Sequence, residues 1–323
     1  MTKRTRELLF AGIIAIVCGC AHVDVPLLQP MGELSEKTLE GEGRAKLLLM
    51  DIEGFISEKG SSGVLIEKPS MVAEVREALR KAERDPDVAG VVLRINSPGG
   101  TVTASDIIRH EIMLFKDHKK VPVYACITGI GASGAYYIAT AADEISAHPT
   151  AITGSIGVMV MRFNVEGLIS KIGVSEKTIK SADKKDIMSP FRTATPEEEK
   201  IILDIINSLN QRFLDMVLAR SGTPLKREEL EPLADGRIFT AEQAAKTRLI
   251  DRVGYLDETL SAMKKKLELK EAKVITYYRP GSYRGTIYSA SPIGAPQMMN
   301  LININADGLG LLSSTQFMYL WQP

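Results

Sequence analysis

The stretch CITGIGASGAYYIATAADEI, residues 126–145, places Ser133 among Gly129, Gly131 and Gly134, where an apolar run gives way to a helical pattern. Glycines free the backbone from Cβ clashes, so the chain can turn sharply and approach another group closely. A serine at the start of the helix read from AYYIATAA meets unpaired N–H groups and a dipole that favours negative charge. A nucleophile belongs there, and so does an ordinary N-cap serine. A hydroxyl nucleophile needs a general base. One candidate is His148, in SAHPTAITG, 15 residues beyond Ser133; His110 and His118 fall on a partly exposed helix. The other is a lysine from IKSADKKDIMSPFR (179–192), namely Lys180, Lys184 or Lys185, flanked by Ile187 and Met188. A lysine base must lose its proton near neutral pH, so its pKa of about 10.4 must fall toward about 8 through burial or charge repulsion. A solvated charged loop explains the same residues, and spacing alone leaves histidine and lysine both open.

These groups have to be carried by a scaffold. AKLLLMDIEGFI (45–56) reads as a strand; Ser70 caps a helix with Val72, Val75, Leu79 and Ala82 on one face, stopped near Pro86. AGVVLRINSPGG is a buried strand running into the Gly99–Gly100 turn; a second helix and the strand VPVYACI follow. The alternation predicts an α/β fold, a mainly parallel sheet covered by helices. Ligands of such sheets bind beyond the carboxyl ends of strands, where the turns at 97–100 and 129–134 both fall. TGSIGVMVMRF (153–163) reads as another strand and NVEGLISKIGV as a short helix ending at Gly173. The longest helix follows Thr195, with Pro196 at N1, a capping box to Glu198, and a stop at Ser221–Gly222. Beyond about 273 the periodicity fades, and the sequence closes on the apolar FMYLWQP.

The 323 residues carry 40 Lys+Arg against 40 Asp+Glu, so no basic excess is available to neutralise nucleic-acid phosphates. Lys3, Arg4 and Arg6 precede the apolar LLFAGIIAIVCGC, a signal-peptide layout shorter than the ~20 residues of a spanning helix. Its VCGC end is similar to a bacterial lipobox with Cys20 as the lipidated residue, the alternative being an uncleaved anchor; either way the body is exported. Residues 1–20 are thus read as targeting segment, 21–43 as linker, 44–272 as the folded domain and 273–323 as a tail. Cys126 alone remains in the body, so no internal disulfide forms there, and no His/Cys cluster has metal-ligand spacing.

INSPGG, GASGAYYIATAAD, AITGSIGVM and SADKKDIMSP, in this order and spacing, resemble the signal peptide peptidase SppA family in its short, single-repeat form. DGRIFTAEQAAKTRLIDRVG matches the segment that follows, so the resemblance spans roughly 45–270. It implies a spiral of ββα units like that of the Clp proteases and crotonases, and a Ser/Lys endopeptidase acting without cofactor on hydrophobic peptides such as remnant signal peptides. It implies Ser133 as nucleophile, Lys185 as base with Lys184 a surface neighbour, and Ser155 as the hydroxyl that holds the lysine amine. The N–H groups of Gly99, Gly100 and Gly134 would form the oxyanion hole, and Asp183 is expected to face solvent. The resemblance further implies a ring-shaped homo-oligomer at the outer side of the bacterial inner membrane. A crotonase-like acyl-CoA enzyme and a non-catalytic membrane scaffold are the competing readings; an exported protein meets little coenzyme A.

Overall fold

The computed structural model describes residues 33–62, 67–220, 225–279, 286–288 and 316–322. The targeting segment, Cys20 and most of the linker lie outside the described residues. In chain order, β1 (Ser35–Glu40), β2 (Lys46–Glu53) and the short pair β3 (Ser61–Ser62) and β4 (Glu67–Lys68) precede α1 (Met71–Arg84). Then come β5 (Val88–Ser97), β6 (Gly99–Thr101), α2 (Val102–Lys119), β7 (Val123–Ala132), α3 (Gly134–Ala139), β8 (Glu144–Ala147) and β9 (Ile152–Gly154). The second half holds α4 (Glu166–Lys171), α5 (Pro196–Leu218), α6 (Arg227–Leu230), β10 (Ile238–Thr240), α7 (Ala241–Lys246), β11 (Arg252–Val253), α8 (Leu256–Lys266), β12 (Lys273–Tyr278) and β13 (Met318–Leu320).

The main sheet runs β1-β12-β2-β5-β7-β8-β11, with β9 beside β7 and β10 beside β9. From β12 to β11 the neighbours are parallel, and β1 and β10 close it as antiparallel partners. The reason is legible in the strands themselves. Their apolar residues do not alternate with polar ones; they alternate between two cores. Leu48, Met50 and Ile52 of β2, Val91, Leu93 and Ile95 of β5, and Val123, Ala125 and Ile127 of β7 enter one core, with α1, α2 and α3. Leu47, Leu49, Val92, Tyr124 and Cys126 enter the other, covered by Leu256, Leu260 and Met263 of α8. Burial pushes the Cys126 thiol pKa up, so this cysteine packs as a small apolar residue.

The capping box predicted for the longest helix is present: Thr195 accepts from the Glu198 N–H, and Glu198 from the Thr195 N–H. Two expectations differ from the structure. The strand predicted over 153–163 ends at Gly154, because Ser155 takes φ 50° and donates its N–H to the Arg237 carbonyl, steering the chain off the sheet. Beyond it, Met159 keeps one bridge, to Met318. The sheet also reaches past the domain limits of 44 and 272. β1 is an edge strand from the expected linker, and β12, from the expected tail, lies between β1 and β2. The alternating Val274, Ile275 and Tyr277 divide between the two cores as the central strands do.

Arg220 ties the end of α5 to β11. Its side chain is 1% exposed and pairs with Asp251, while its Nη1 donates to the Arg248 and Leu249 carbonyls. The Tyr136 hydroxyl of α3 donates to the same Leu249 carbonyl, so this cluster also holds the helix that follows Ser133. Arg220→Met should lower the unfolding free energy by about 3 kcal/mol, since it leaves a largely buried carboxylate without its cation. Chemical denaturation at constant pH measures it.

Candidate active site

β5 and β7 are adjacent parallel strands, so the turns at their carboxyl ends adjoin. Ser133 sits where β7 meets α3, 1% exposed, at φ 54° and ψ −115°. A non-glycine residue at such a φ is strained and persists only where its surroundings hold it. The hold here is backbone: the Ser133 N–H donates to the Gly154 carbonyl at 2.8 Å, and the Ser133 carbonyl accepts from the Tyr137 N–H at 2.8 Å. Its hydroxyl makes no capping bond to α3, so the N-cap alternative does not describe this serine. Ser155, 7% exposed and also at positive φ, follows the Gly154 that binds Ser133.

The three glycines form one wall. Gly99 has φ 102°, and a Cβ built on it would fall 2.8 Å from the Gly134 nitrogen; one on Gly134 would fall 3.2 Å from the Gly100 nitrogen. A Cβ on Gly100 would lie 1.9 Å from the Ile56 carbonyl oxygen. Ile56 runs beside this loop, donating its N–H to the Gly99 carbonyl and accepting from the Thr101 N–H. The backbones of Gly100 and Gly134 thereby come close together beside Ser133, the arrangement an oxyanion needs; the Gly99 N–H, expected in the same role, instead donates to the Ser97 hydroxyl at 3.1 Å.

On its other edge β6 pairs antiparallel with β13: Met318 faces Thr101, Tyr319 faces Gly100 and Leu320 faces Gly99. The Val102 N–H donates to the Phe317 carbonyl and the Trp321 N–H to the Pro98 carbonyl. Bonded pairs alternate in an antiparallel ladder, so Gly100 and Tyr319 form the bonded pair between them. The Tyr319 carbonyl oxygen would be 2.1 Å from a Cβ on Gly99 and 3.0 Å from one on Gly134.

The lysines divide. Lys180 pairs with Asp186 and Lys184 with Glu197, which raises the Lys184 pKa through its hydrogen bond to that carboxylate. Lys185 is exposed, and among the described residues its ammonium bonds neither Ser133 nor Ser155. Asp183 faces solvent, as expected. The segment is anchored by charge: Arg192 binds both Asp186 and Glu198, the latter at the N-terminus of α5. Hydrogen bonds from Arg192 hold the Asp186 pKa below the usual carboxylate range, and those from Arg192 and the Thr195 N–H hold that of Glu198 at about 2. This anchor was not singled out in the sequence, although the arginine lies six residues from each carboxylate.

His148 has another task. Its Nε2 accepts the Leu256 N–H at 3.1 Å at the start of α8, and its ring packs 5.1 Å from that of Tyr255. That bond occupies the nitrogen a neutral imidazole would use as base. Among the described residues, no group of three His, Cys, Asp or Glu side chains is placed to hold a metal ion.

The Peptidase family S49 model matches residues 115–270, and the Clp protease model residues 66–153. An Enterococcus faecium protein named as a signal peptide peptidase SppA is 35% identical over 246 residues, 76% of this chain and 71% of that one. A protein of Methanocaldococcus jannaschii named as a protease is 32% identical over 237 residues, covering 73% and 75% of the two chains. Protease 4 of Salmonella typhi is 36% identical over 194 residues, 60% of this chain but 31% of that longer one.

Two outcomes follow from this geometry. His148→Ala should keep peptide turnover within a few-fold and lower stability by about 1–3 kcal/mol, the cost of an unpaired buried N–H. Burial depresses the His148 pKa, so its contribution is complete above about pH 6.5 and is lost as pH falls below that value. Denaturation curves of the two proteins should therefore converge as the pH is lowered from 7.5 to 5. Gly100→Ala, in contrast, should cut hydrolysis by more than 100-fold, because its Cβ displaces the Ile56 backbone that holds the oxyanion loop.

Proposed function

The chain belongs to peptidase family S49 and is a serine peptidase, and on that premise we propose that Ser133 is its nucleophile and Lys185 its general base. The observation that carries this reading is the placement of Ser133: strained, buried, uncapped, and beside the closely approaching backbones of Gly100 and Gly134. Ser133 Oγ would attack the scissile carbonyl carbon while its proton passes to the Lys185 amine. The oxyanion would rest on the Gly100 and Gly134 N–H groups, and the lysine would return the proton to the departing amine. Ser155 would orient the amine through its hydroxyl. Acyl-CoA chemistry and a non-catalytic scaffold lose their support once the family is known.

A lysine acts as base only when stripped of water, and Lys185 is exposed in the single chain. The segment around it lies beside α4, through Val165 N–H to Pro190 O, and Phe163, Leu168, Ile172 and Val174 there are all more than half exposed. An apolar face of this kind marks an interaction surface. It supports a homo-oligomer, ring-shaped as in the related Clp proteases, in which a neighbour covers this face and dries the lysine. The substrates we propose are hydrophobic peptides such as remnant signal peptides, in keeping with the name of the Enterococcus faecium relative.

No helix among the described residues is long and apolar enough to cross a membrane. We place the enzyme at the outer side of the bacterial inner membrane through its N-terminal segment, with lipid on Cys20. Cys20→Ser should then abolish palmitate incorporation in growing cells; labelling that persists in the variant would remove the lipid anchor.

The dyad is tested on a fluorogenic apolar peptide. Ser133→Ala should fold and lose at least 1,000-fold in kcat/KM. Lys185→Arg should be as inactive as Lys185→Ala, because a guanidinium keeps its proton. Lys184→Arg should retain near-full activity, since arginine preserves the pair with Glu197. An active Lys185→Arg enzyme would remove this lysine from the mechanism.

A further inference from the structure

The Gly99 N–H is taken by a buried side chain, and that side chain has a second bond of its own. Ser97 closes β5 and is fully buried. The Gly99 N–H donates to its Oγ at 3.1 Å, and its hydroxyl donates to the Gly54 carbonyl at 2.6 Å. An N–H can only donate and a carbonyl can only accept, so one hydroxyl fills both roles and its proton is committed to Gly54. The Gly54 carbonyl is itself placed, since the Gly54 N–H donates to the Asn96 carbonyl at 3.0 Å.

These bonds bear on which way the next peptide faces. The Gly99 carbonyl accepts the Ile56 N–H at 3.0 Å, and the Ile56 carbonyl accepts the Thr101 N–H at 2.9 Å. The Gly99–Gly100 peptide is trans, so its N–H points opposite to its carbonyl, away from Ile56. Gly134 lies close by: a Cβ on it would fall 3.2 Å from the Gly100 nitrogen. Two consecutive glycines put no Cβ in the way of rotation. Turning the peptide over would present its carbonyl to the site and its N–H to Ile56. A carbonyl there would repel the oxyanion that an N–H would hold. Hydrogen bonds, and not side-chain bulk, have to select the orientation.

We propose that Ser97 is a positioning residue for catalysis: its hydroxyl ties Gly99 to Gly54 and so holds the Gly99–Gly100 peptide with the Gly100 N–H turned to the oxyanion formed at Ser133. The inference rests on the serine-peptidase reading of the site and deepens it by naming what sets an oxyanion donor. A serine whose hydroxyl takes the N–H two residues on is a common turn, and that bond alone would mark only the end of a strand. The second bond is different in kind. It reaches a residue 43 positions earlier, two residues before the Ile56 that binds the Gly99 carbonyl. The two backbones that fix the peptide are thus joined through one buried oxygen. Without that oxygen the Gly99 N–H and the Gly54 carbonyl both lose their partner, and the peptide is held from one side only.

The test compares the full chain with Ser97→Ala and Ser97→Cys on a fluorogenic apolar peptide and on two inhibitors of matched sequence. One is a peptide boronate, whose tetrahedral adduct on Ser133 puts an oxygen at the oxyanion position. The other carries a reduced amide in place of the scissile bond and has no carbonyl there. Ser97→Ala should lose about 100-fold or more in kcat, the scale of a lost oxyanion donor, with KM within about threefold. Its Ki for the boronate should rise by about the same factor as kcat falls, while that for the reduced amide stays within about threefold. Ser97→Cys is close to serine in volume and is a weaker donor and acceptor, so its kcat should lie between the two. It carries the comparison if Ser97→Ala fails to fold. A folded variant with unchanged kcat, or one whose loss lies in KM or falls equally on both inhibitors, would overturn the proposal and leave Ser133 as nucleophile. Hydrolysis that survives Ser133→Ala would instead overturn the peptidase reading itself.

Discussion

The site depends on backbones meeting closer than any side chain permits. β6 is squeezed between Ile56 on one edge and Tyr319 on the other, and the start of α3 is pressed against it. Glycine at 99, 100 and 134 is what allows two strands, the Ile56 backbone and a helix start to converge there. The consequence is that the Gly100 and Gly134 backbones approach closely, while the Gly99 N–H is taken by the Ser97 hydroxyl. Ser133 is brought to the same spot by a conformation that costs on the order of 1–3 kcal/mol. That cost is met by the sheet: β9 pairs with β7, and its last carbonyl, at Gly154, holds the Ser133 N–H.

The framework under this cluster was legible in the amino-acid sequence because its signals are local. The alternation of strands and helices with short connections announced a mainly parallel sheet covered by helices. The two glycine turns announced where the strands end, and Thr195, Pro196 and Glu198 announced a helix start, each within a window of a few residues. What escaped depends on partners far along the chain. The run KVITYY is too short to separate strand from loop until β2 offers it an edge. The strand expected over 153–163 stops at Gly154, since the backbone bond from Ser155 to Arg237 pairs residues 82 positions apart. β13 was visible only as an apolar ending, and nothing local in FMYLWQP says that it lies on Gly99–Thr101.

The candidate site divides along the same line. Residue type raised Ser133 as a candidate and left an ordinary N-cap serine open beside it; the oxyanion role of the glycines came from the resemblance. Residue type could not single out Lys185, because charged segments are usually solvated, and its assignment came from the resemblance of SADKKDIMSP to known sequences. The structure supplies a physical basis for distinguishing the three lysines. Lys180 and Lys184 are committed to carboxylates, and Arg192 clamps the segment between Asp186 and Glu198 so that Lys185 projects from a fixed turn. An exposed lysine on an anchored segment, beside an apolar face, is consistent with the proposal of a base completed by assembly.

The account's central claim is that a lysine deprotonates Ser133, and the rate of covalent capture reads that step without a peptide substrate. A fluorophosphonate should add to Ser133, located by mass spectrometry of the digested protein. Its rate should fall to background in Lys185→Arg, whose guanidinium keeps its proton. An adduct on any other residue, or a Ser133 adduct whose rate is unchanged in Lys185→Arg, would contradict the account.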